Sequence, residues 1–210
     1  MDYAPPRTEA VGKRPASSAG RKLLGILFIV GLGAASVALV VAANSWSAPL
    51  ARKHEERRLH SSILDAAAIA SPAESVDAIF RERVRQQQAG GLVYFAVDSL
   101  ILYQFDGRGL WGPIRGIVTL DSGLTHIASI RVLEQEETPG LGDRIKDPAY
   151  LATYRGKRAD TPLELAIRHE AETDSEVDAI GGATLSSQAL LVTVNNATEA
   201  LRRALREGAE

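Results

Sequence analysis

The chain has 210 residues, 45% of them hydrophobic, enough for one modest globular domain with a segment added to it. Its 24 basic and 26 acidic residues leave a net charge of -2, with no basic excess to suit nucleic acid and no acidic excess to suit a solvating, disordered chain. Cysteine is absent, which excludes disulfides, thiolate metal sites, iron–sulfur clusters and cysteine nucleophiles; the four histidines, His54, His60, His126 and His169, form no close pair with metal-ligand spacing.

Residues 1–22 are rich in Pro, Ala, Ser and charge and are expected to form a flexible tail. Leu23 to Ala43 contains no charged residue. At about 1.5 Å per residue this run reaches roughly 30 Å, the thickness of a bilayer core. The apolar part of a signal peptide is shorter, about 7–15 residues, so residues 23–43 are expected to be a retained transmembrane helix, although Ala-rich 42–48 leaves a cleavage site open. Arg21 and Lys22 abut the run directly, whereas the nearest downstream charge is Arg52. The tail is therefore expected in the cytoplasm and the main domain on the extracytoplasmic side.

Residues 44–90 are expected to be a helical stalk. Leu59, Ile63 and Ala67 fall on one stripe of a helix over Leu50 to Ala70, and Asp77 to Gln88 suggests a second, short helix. From residue 91 to the end a single folded domain is expected. Leu92 to Val97, Leu100 to Phe105, Gly116 to Leu120 and His126 to Glu134 have the character of strands, separated by turns near Asp98-Ser99, at Asp106 to Gly109 and at Asp121-Ser122-Gly123. Pro148 to Tyr154 suggests a short helix and Pro162 to Arg168 a strand. Ser186 to Arg206 is the clearest helix, with Leu190, Leu191, Val194, Ala197, Leu201 and Leu205 at three- and four-residue spacing. The fold class is α+β: one N-terminal transmembrane helix, then a twisted antiparallel sheet with helices packed on it.

Two segments carry possible chemistry. Glu137-Thr138-Pro139-Gly140-Leu141-Gly142 is a loop after a strand, and its glycines allow a backbone to approach a flat or phosphorylated ligand; an ordinary turn is the plainer reading. Asp178 to Ser187 leads small residues, Gly181, Gly182 and Ala183, into the best helix, and Thr184, Ser186 and Ser187 add hydroxyls where unpaired backbone N–H groups favour an anion. Helix capping by Ser186 or Ser187 is the plainer reading here. No lysine follows as a phosphate-binding P-loop requires. Tyr94, Tyr103, Trp111, Tyr150 and Tyr154 are candidates for stacking on a flat ligand, most of them expected in the core.

The run Gly-Gly-Ala-Thr-Leu-Ser-Ser at 181–187, with Asp178 six residues before the threonine, resembles the attachment site of the FMN-binding domain family. The Glu137–Gly142 loop is similar to that family's second hallmark, and Gly109-Leu110-Trp111-Gly112 is similar to a segment of one of its branches. Gly181 and Gln135 depart from the family's commoner Ser and His. The family includes the NqrC component of the Na⁺-translocating NADH:quinone oxidoreductase and the RnfG component of the Rnf electron-transport complex. The resemblance implies FMN joined covalently to Thr184 by a phosphoester that a flavin transferase makes from FAD, with Gly182, Ala183, Leu185, Ser187, Glu137, Thr138, Gly140, Leu141 and Gly142 around the cofactor. It implies an electron carrier among other subunits of an ion-translocating membrane complex, not an enzyme by itself, with no catalytic residue and no metal of its own. Length favours the RnfG type, with the NqrC type the alternative. A non-redox anchored binding domain and an FMN module outside any such complex are the remaining readings.

Overall fold

The computed structural model describes residues 18–208, and the side chains of 22–46 and 53–208 within that span. Residues 1–17 of the expected tail lie outside it. The chain divides into two compact units, Met1–Lys53 and His54–Glu210. The first helix, α1, spans Ser18–Ala66. Within it, Lys22–Trp46 has no buried residue and is long and apolar enough to cross a membrane.

The second unit is built on a five-stranded antiparallel sheet in the order β1-β2-β3-β4-β5, with β1 at Arg85–Ala89, β2 at Leu92–Val97, β3 at Leu100–Arg108, β4 at Pro113–Asp121 and β5 at Ile127–Gln135. This is the α+β fold expected from the strand rhythm. β4 is buried along Gly116–Leu120 on both faces. One face, through Phe105, Ile114, Val118 and Leu120, packs on Leu190, Leu191, Val194 and Leu201 of α4, which spans Thr184–Glu207. The other, through Phe95, Val97, Leu102 and Ile117, packs on Ile63 and Leu64 of α1 and Phe80 of α2 (Val76–Arg83). Burying each large aliphatic side chain contributes roughly 1.5–3 kcal/mol, so both faces stabilise the sheet. The C-terminal end of α1 is closed by hydroxyls: Ser129 donates to the Ala66 carbonyl at 2.8 Å, and buried Thr119 to the same oxygen at 3.4 Å.

Three elements differ from expectation. The helix expected over Asp77 to Gln88 ends at Arg83; Val84 turns extended, and the polar run Gln86–Gln88 pairs with β2, Gln86 opposite Phe95. Polar glutamines give a helix no apolar face to bury, so ladder pairing wins. Asp106–Arg108 of the turn expected at Asp106 to Gly109 are instead the end of β3, and the turn falls at Gly109–Gly112. Gly107 is there for close approach, since a Cβ on it would overlap the Thr193 side chain of α4. The strand expected at Pro162 to Arg168 is only β6, Glu164–Ala166, and it pairs in parallel with β7, Glu176–Asp178. Asn195 of α4 holds this edge by exchanging two hydrogen bonds of 2.9 Å with the Leu163 backbone. A short helix, α3 at Pro148–Leu151, and a 3-10 turn at Ala152–Tyr154 bring Tyr154 fully into the core.

Gly116 faces the ring of Phe105, and a Cβ on it would overlap the Arg131 carbonyl of β5. Gly116→Ala is therefore expected to cost about 1–3 kcal/mol, read as a lower urea midpoint at unchanged slope. An unchanged midpoint would show that β4 and β5 can part without cost.

Candidate functional site

α4 begins at Thr184 without a side-chain cap. The chain enters it through a turn in which the Ala183 N–H donates to the Ile180 carbonyl at 2.9 Å, and Gly182, at φ +82°, takes the position that disfavours a side chain. Ser187 locks this turn from behind: its Oγ accepts the Ile180 N–H at 3.0 Å and donates to the Ala183 carbonyl at 3.1 Å. Ser187 is fully buried. Tyr150 lies against it, and burial raises the Tyr150 and Tyr154 hydroxyls above the ordinary phenol range, so both remain neutral hydrogen-bonding groups.

Ser186 points elsewhere. Its hydroxyl donates at 2.6 Å to Oε2 of Glu137, a residue 49 positions earlier that is only 4% exposed. Glu137 Oε1 accepts the Leu110 N–H at 2.7 Å and the Trp111 N–H at 3.4 Å. The Glu137 N–H in turn donates to Gln135 Oε1 at 2.6 Å. One carboxylate thus joins the β3–β4 turn, the Glu137–Gly142 loop and the first turn of α4. Two glycines make room for it. A Cβ on Gly109 would overlap Glu137 Oε1, and one on Gly142 would lie 2.5 Å from Ser186 Oγ and 3.0 Å from Glu137.

The rest of the loop is tied locally. Leu141 and Asp143 donate backbone N–H groups to the Thr138 carbonyl at 3.1 and 3.2 Å, and Gly140, at φ +75°, donates its own to Asp143 Oδ1 at 2.8 Å. Thr138, Pro139 and Gly140 are exposed. A Cβ on Gly182 would come within 3.7 Å of Leu141 Cδ2, so the two sequence-predicted segments meet.

Around this junction stand four exposed apolar side chains, Leu110, Trp111, Leu141 and Leu185. Leu110 and Leu185 also line a groove of about 590 Å³ between β3 and α4, which continues past Phe105, Gly107 and Val192. Of the three hydroxyls at the start of α4, those of Ser186 and Ser187 are buried and engaged, while Thr184 is part-exposed and its hydroxyl has no partner among the described residues. The backbone N–H groups of Thr184, Leu185 and Ser186 are likewise unpaired among the described residues, the arrangement in which a helix start attracts an anion.

The sequence-predicted residues therefore converge on one place, though not in one way. Thr184, Leu185, Leu141 and Gly182 lie at the surface of the junction, whereas Glu137, Gly142, Ala183 and Ser187 lie beneath it. Asp178 is not paired with Glu137; its Oδ1 accepts the Ala171 N–H at 2.6 Å. Of the aromatic candidates, Trp111 stands at the junction and Tyr103 lines the groove, while Tyr94 and Tyr154 are core residues. The tie from Ser186 to Glu137 is not foreseen from the sequence. A hydrogen bond between residues 49 apart in the chain leaves no local pattern.

Residues 109–199 match the model of the FMN-binding domain family. The matched segment covers less than half of the chain. It contains all three segments that meet at the junction. The NqrC component of the Na(+)-translocating NADH-quinone reductase of Pasteurella multocida is 32% identical over 137 residues, 58% of this chain and 52% of that protein. The corresponding protein of Vibrio vulnificus is 30% identical over 129 residues, 55% of this chain and 51% of that protein. The chain thus spans about half the length of the curated relatives it matches. Among solved structures, Shewanella oneidensis NqrC shares the fold with a TM-score of 0.60 at 22% identity, over 69% of this chain and 91% of that one. The NqrC component of the Na(+)-translocating NADH-quinone reductase from Parabacteroides distasonis does so with a TM-score of 0.64 at 18% identity, over 74% and 95%.

The glycines of the two segments separate by function in packing. Gly142→Ala is expected to lower stability by about 1–3 kcal/mol, because its Cβ has no space between Ser186 and Glu137. Gly181→Ala, whose Cβ meets nothing within 4 Å, is expected to stay within about 0.5 kcal/mol of the parent. Urea unfolding of the two variants side by side tests this; equal losses would mean that the Glu137–Ser186 packing does not constrain Gly142.

Proposed function

We propose that the chain is a membrane-anchored, electron-carrying flavoprotein subunit with FMN joined to Thr184 Oγ through a phosphoester. The observation that carries this reading is the match of residues 109–199 to the FMN-binding domain family together with Thr184 being the one unengaged hydroxyl at the start of α4 among the described residues. In the attachment step the Thr184 oxygen attacks the flavin-side phosphorus of FAD. The new O–P bond forms, the pyrophosphate bond breaks, AMP leaves and the hydroxyl proton passes to solvent; a flavin transferase catalyses this. The unpaired N–H groups of Thr184, Leu185 and Ser186 would hold the phosphate, and Leu110, Trp111, Leu141 and Leu185 would border the flavin ring, with Gly182, Thr138 and Gly140 in the backbone that surrounds it. When bound, the flavin supplies the electron-carrying chemistry; the chain's own residues bind and orient it.

The partners proposed are the other subunits of a membrane electron-transport complex of the kind that contains NqrC, in the Na⁺-translocating NADH:quinone oxidoreductase, or RnfG, in the Rnf complex. The relatives named above favour the first, and the Asp143-Arg144-Ile145 run resembles the second. Lys22–Trp46 would be the anchor, with the domain on the periplasmic side.

Co-expression with a flavin transferase, acid denaturation and intact-mass measurement test the attachment. The expected result is added mass equal to FMN less one water, with in-gel flavin fluorescence, both lost in Thr184→Ala; an unmodified mass beside an active transferase refutes it. The side of the membrane is open to a separate test, because the chain has no cysteine. A Ser99→Cys variant, at an exposed turn, should react in intact cells with a membrane-impermeant maleimide. Labelling only after cell lysis would place the domain in the cytoplasm.

A further inference from the structure

Glu137 lies at the centre of the junction, yet its side-chain oxygens are engaged by Leu110, Trp111 and Ser186 and it is almost wholly buried. Each of these partners is a neutral donor. The surroundings are fitted to the carboxylate: Gly109 and Gly142 would each drive a Cβ into it or into its serine partner, and Gln135 holds its backbone N–H. The two serines of the helix start divide the work. Ser187 fixes the turn that precedes Thr184, and Ser186, two residues after Thr184, fixes the first turn of α4 to a distant loop. Thr184 is thus held from both sides while its own hydroxyl stays free.

We propose that Glu137 is a positioning residue of the flavin site, acting through Ser186 and the Leu110–Trp111 turn to hold the Thr184 oxygen and its apolar rim where flavin transfer requires them. This rests on the reading of Thr184 as the FMN acceptor. Transfer from FAD forms one Thr184 O–P bond as one pyrophosphate O–P bond breaks, and AMP leaves as the hydroxyl proton goes to solvent. The reaction therefore depends on the direction from which that oxygen approaches phosphorus. Without the Glu137 carboxylate the first turn of α4 loses its only side-chain hydrogen bond to the Glu137–Gly142 loop among the described residues, and Leu110 and Trp111 lose the acceptor for their N–H groups.

The charge of Glu137 and its hydrogen bonding can be separated. Glutamine keeps the shape: its carbonyl accepts from the Leu110 N–H and its amide donates to the Ser186 oxygen, reversing that bond without breaking it. The experiment uses the full chain in detergent with FAD and a flavin transferase, following covalent flavin fluorescence with time in the wild type, Glu137→Ala, Glu137→Gln and Ser186→Ala. Thermal melting of each confirms that the domain is folded. Since a displacement of about 1 Å can cost on the order of 100-fold, Glu137→Ala is expected to incorporate flavin at least about tenfold more slowly. Glu137→Gln should restore the rate to within about threefold of wild type, and Ser186→Ala should fall between the two. Incorporation by Glu137→Ala at the wild-type rate overturns the proposal, as does Glu137→Gln as slow as Glu137→Ala. If Glu137→Ala fails to fold, Ser186→Ala decides, and a wild-type rate there overturns it. A wild-type chain that takes no flavin removes the acceptor reading and this role together, whereas a labelled wild type with equally labelled variants removes only the role of Glu137.

Discussion

A buried carboxylate satisfied by three neutral donors is the constraint around which the site is arranged. The Glu137 side chain has left water, and hydrogen bonds to such a group are worth about 1.5–3 kcal/mol each, so removing a donor leaves a cost that no nearby solvent can offset. The donors come from places remote in the chain: the turn between β3 and β4, and the first turn of α4. Satisfying one group therefore fixes three segments at once. The small residues nearby follow from it. Gly109 and Gly142 are needed for the space their missing Cβ atoms leave, not for an unusual backbone angle, whereas Gly140 and Gly182 have positive φ and lie in comparatively open surroundings.

A backbone held in this way can keep apolar side chains at the surface. Leu110, Trp111, Leu141 and Leu185 would each favour retreat from water if their segments were loose. The β3–β4 turn cannot fold inward, because the N–H groups of Leu110 and Trp111 are committed to Glu137 and Gly109 is bonded to the Gly112 carbonyl at 2.8 Å. Leu141 is likewise carried on a loop tied by Thr138 and Asp143. Exposed apolar groups on tied backbone around one junction are the kind of surface that a ligand or partner can cover. Under the proposed function, the flavin ring is the group that covers it.

What the sequence disclosed, and what it did not, follows from the range of each interaction. α4 was legible because Leu190, Val194, Ala197 and Leu201 repeat at helical spacing, whereas Thr184 was singled out by the resemblance of residues 181–187 to the FMN-binding domain family, and its acceptor role is the proposal above. β2 to β5 were legible from their apolar content and intervening turns. β1 was not: Gln86, Gln87 and Gln88 carry no strand signature, although Gly90-Gly91, at φ +55° and +79°, is the two-residue hairpin signal that would have exposed it. β6 and β7 are three residues each and exist only through their parallel pairing and the grip of Asn195. Glu137 was visible as part of a loop, but its inward direction depends on Ser186 and Gly109, which no local pattern links to it.

Under the proposed function, the same geometry favours a covalent bond over tight reversible binding. A helix start contributes only about 0.3–1 kcal/mol toward an exposed anion, while nanomolar retention of a free cofactor needs about 12 kcal/mol. The described residues around Thr184 offer unpaired N–H groups and an apolar rim, and the cations of the neighbouring loop, Arg144 and Lys146, are already engaged with Asp147 and Asp143. Enclosing the ring to gain the missing energy would bury it away from electron partners. Under the proposed function, a phosphoester to Thr184 would remove the need for enclosure, and the Ser186–Glu137 and Ser187–Ile180 ties would then hold the attached group in a single direction. Stability of the junction and accessibility of the ring would thereby be assigned to different atoms, the buried serines and the part-exposed threonine.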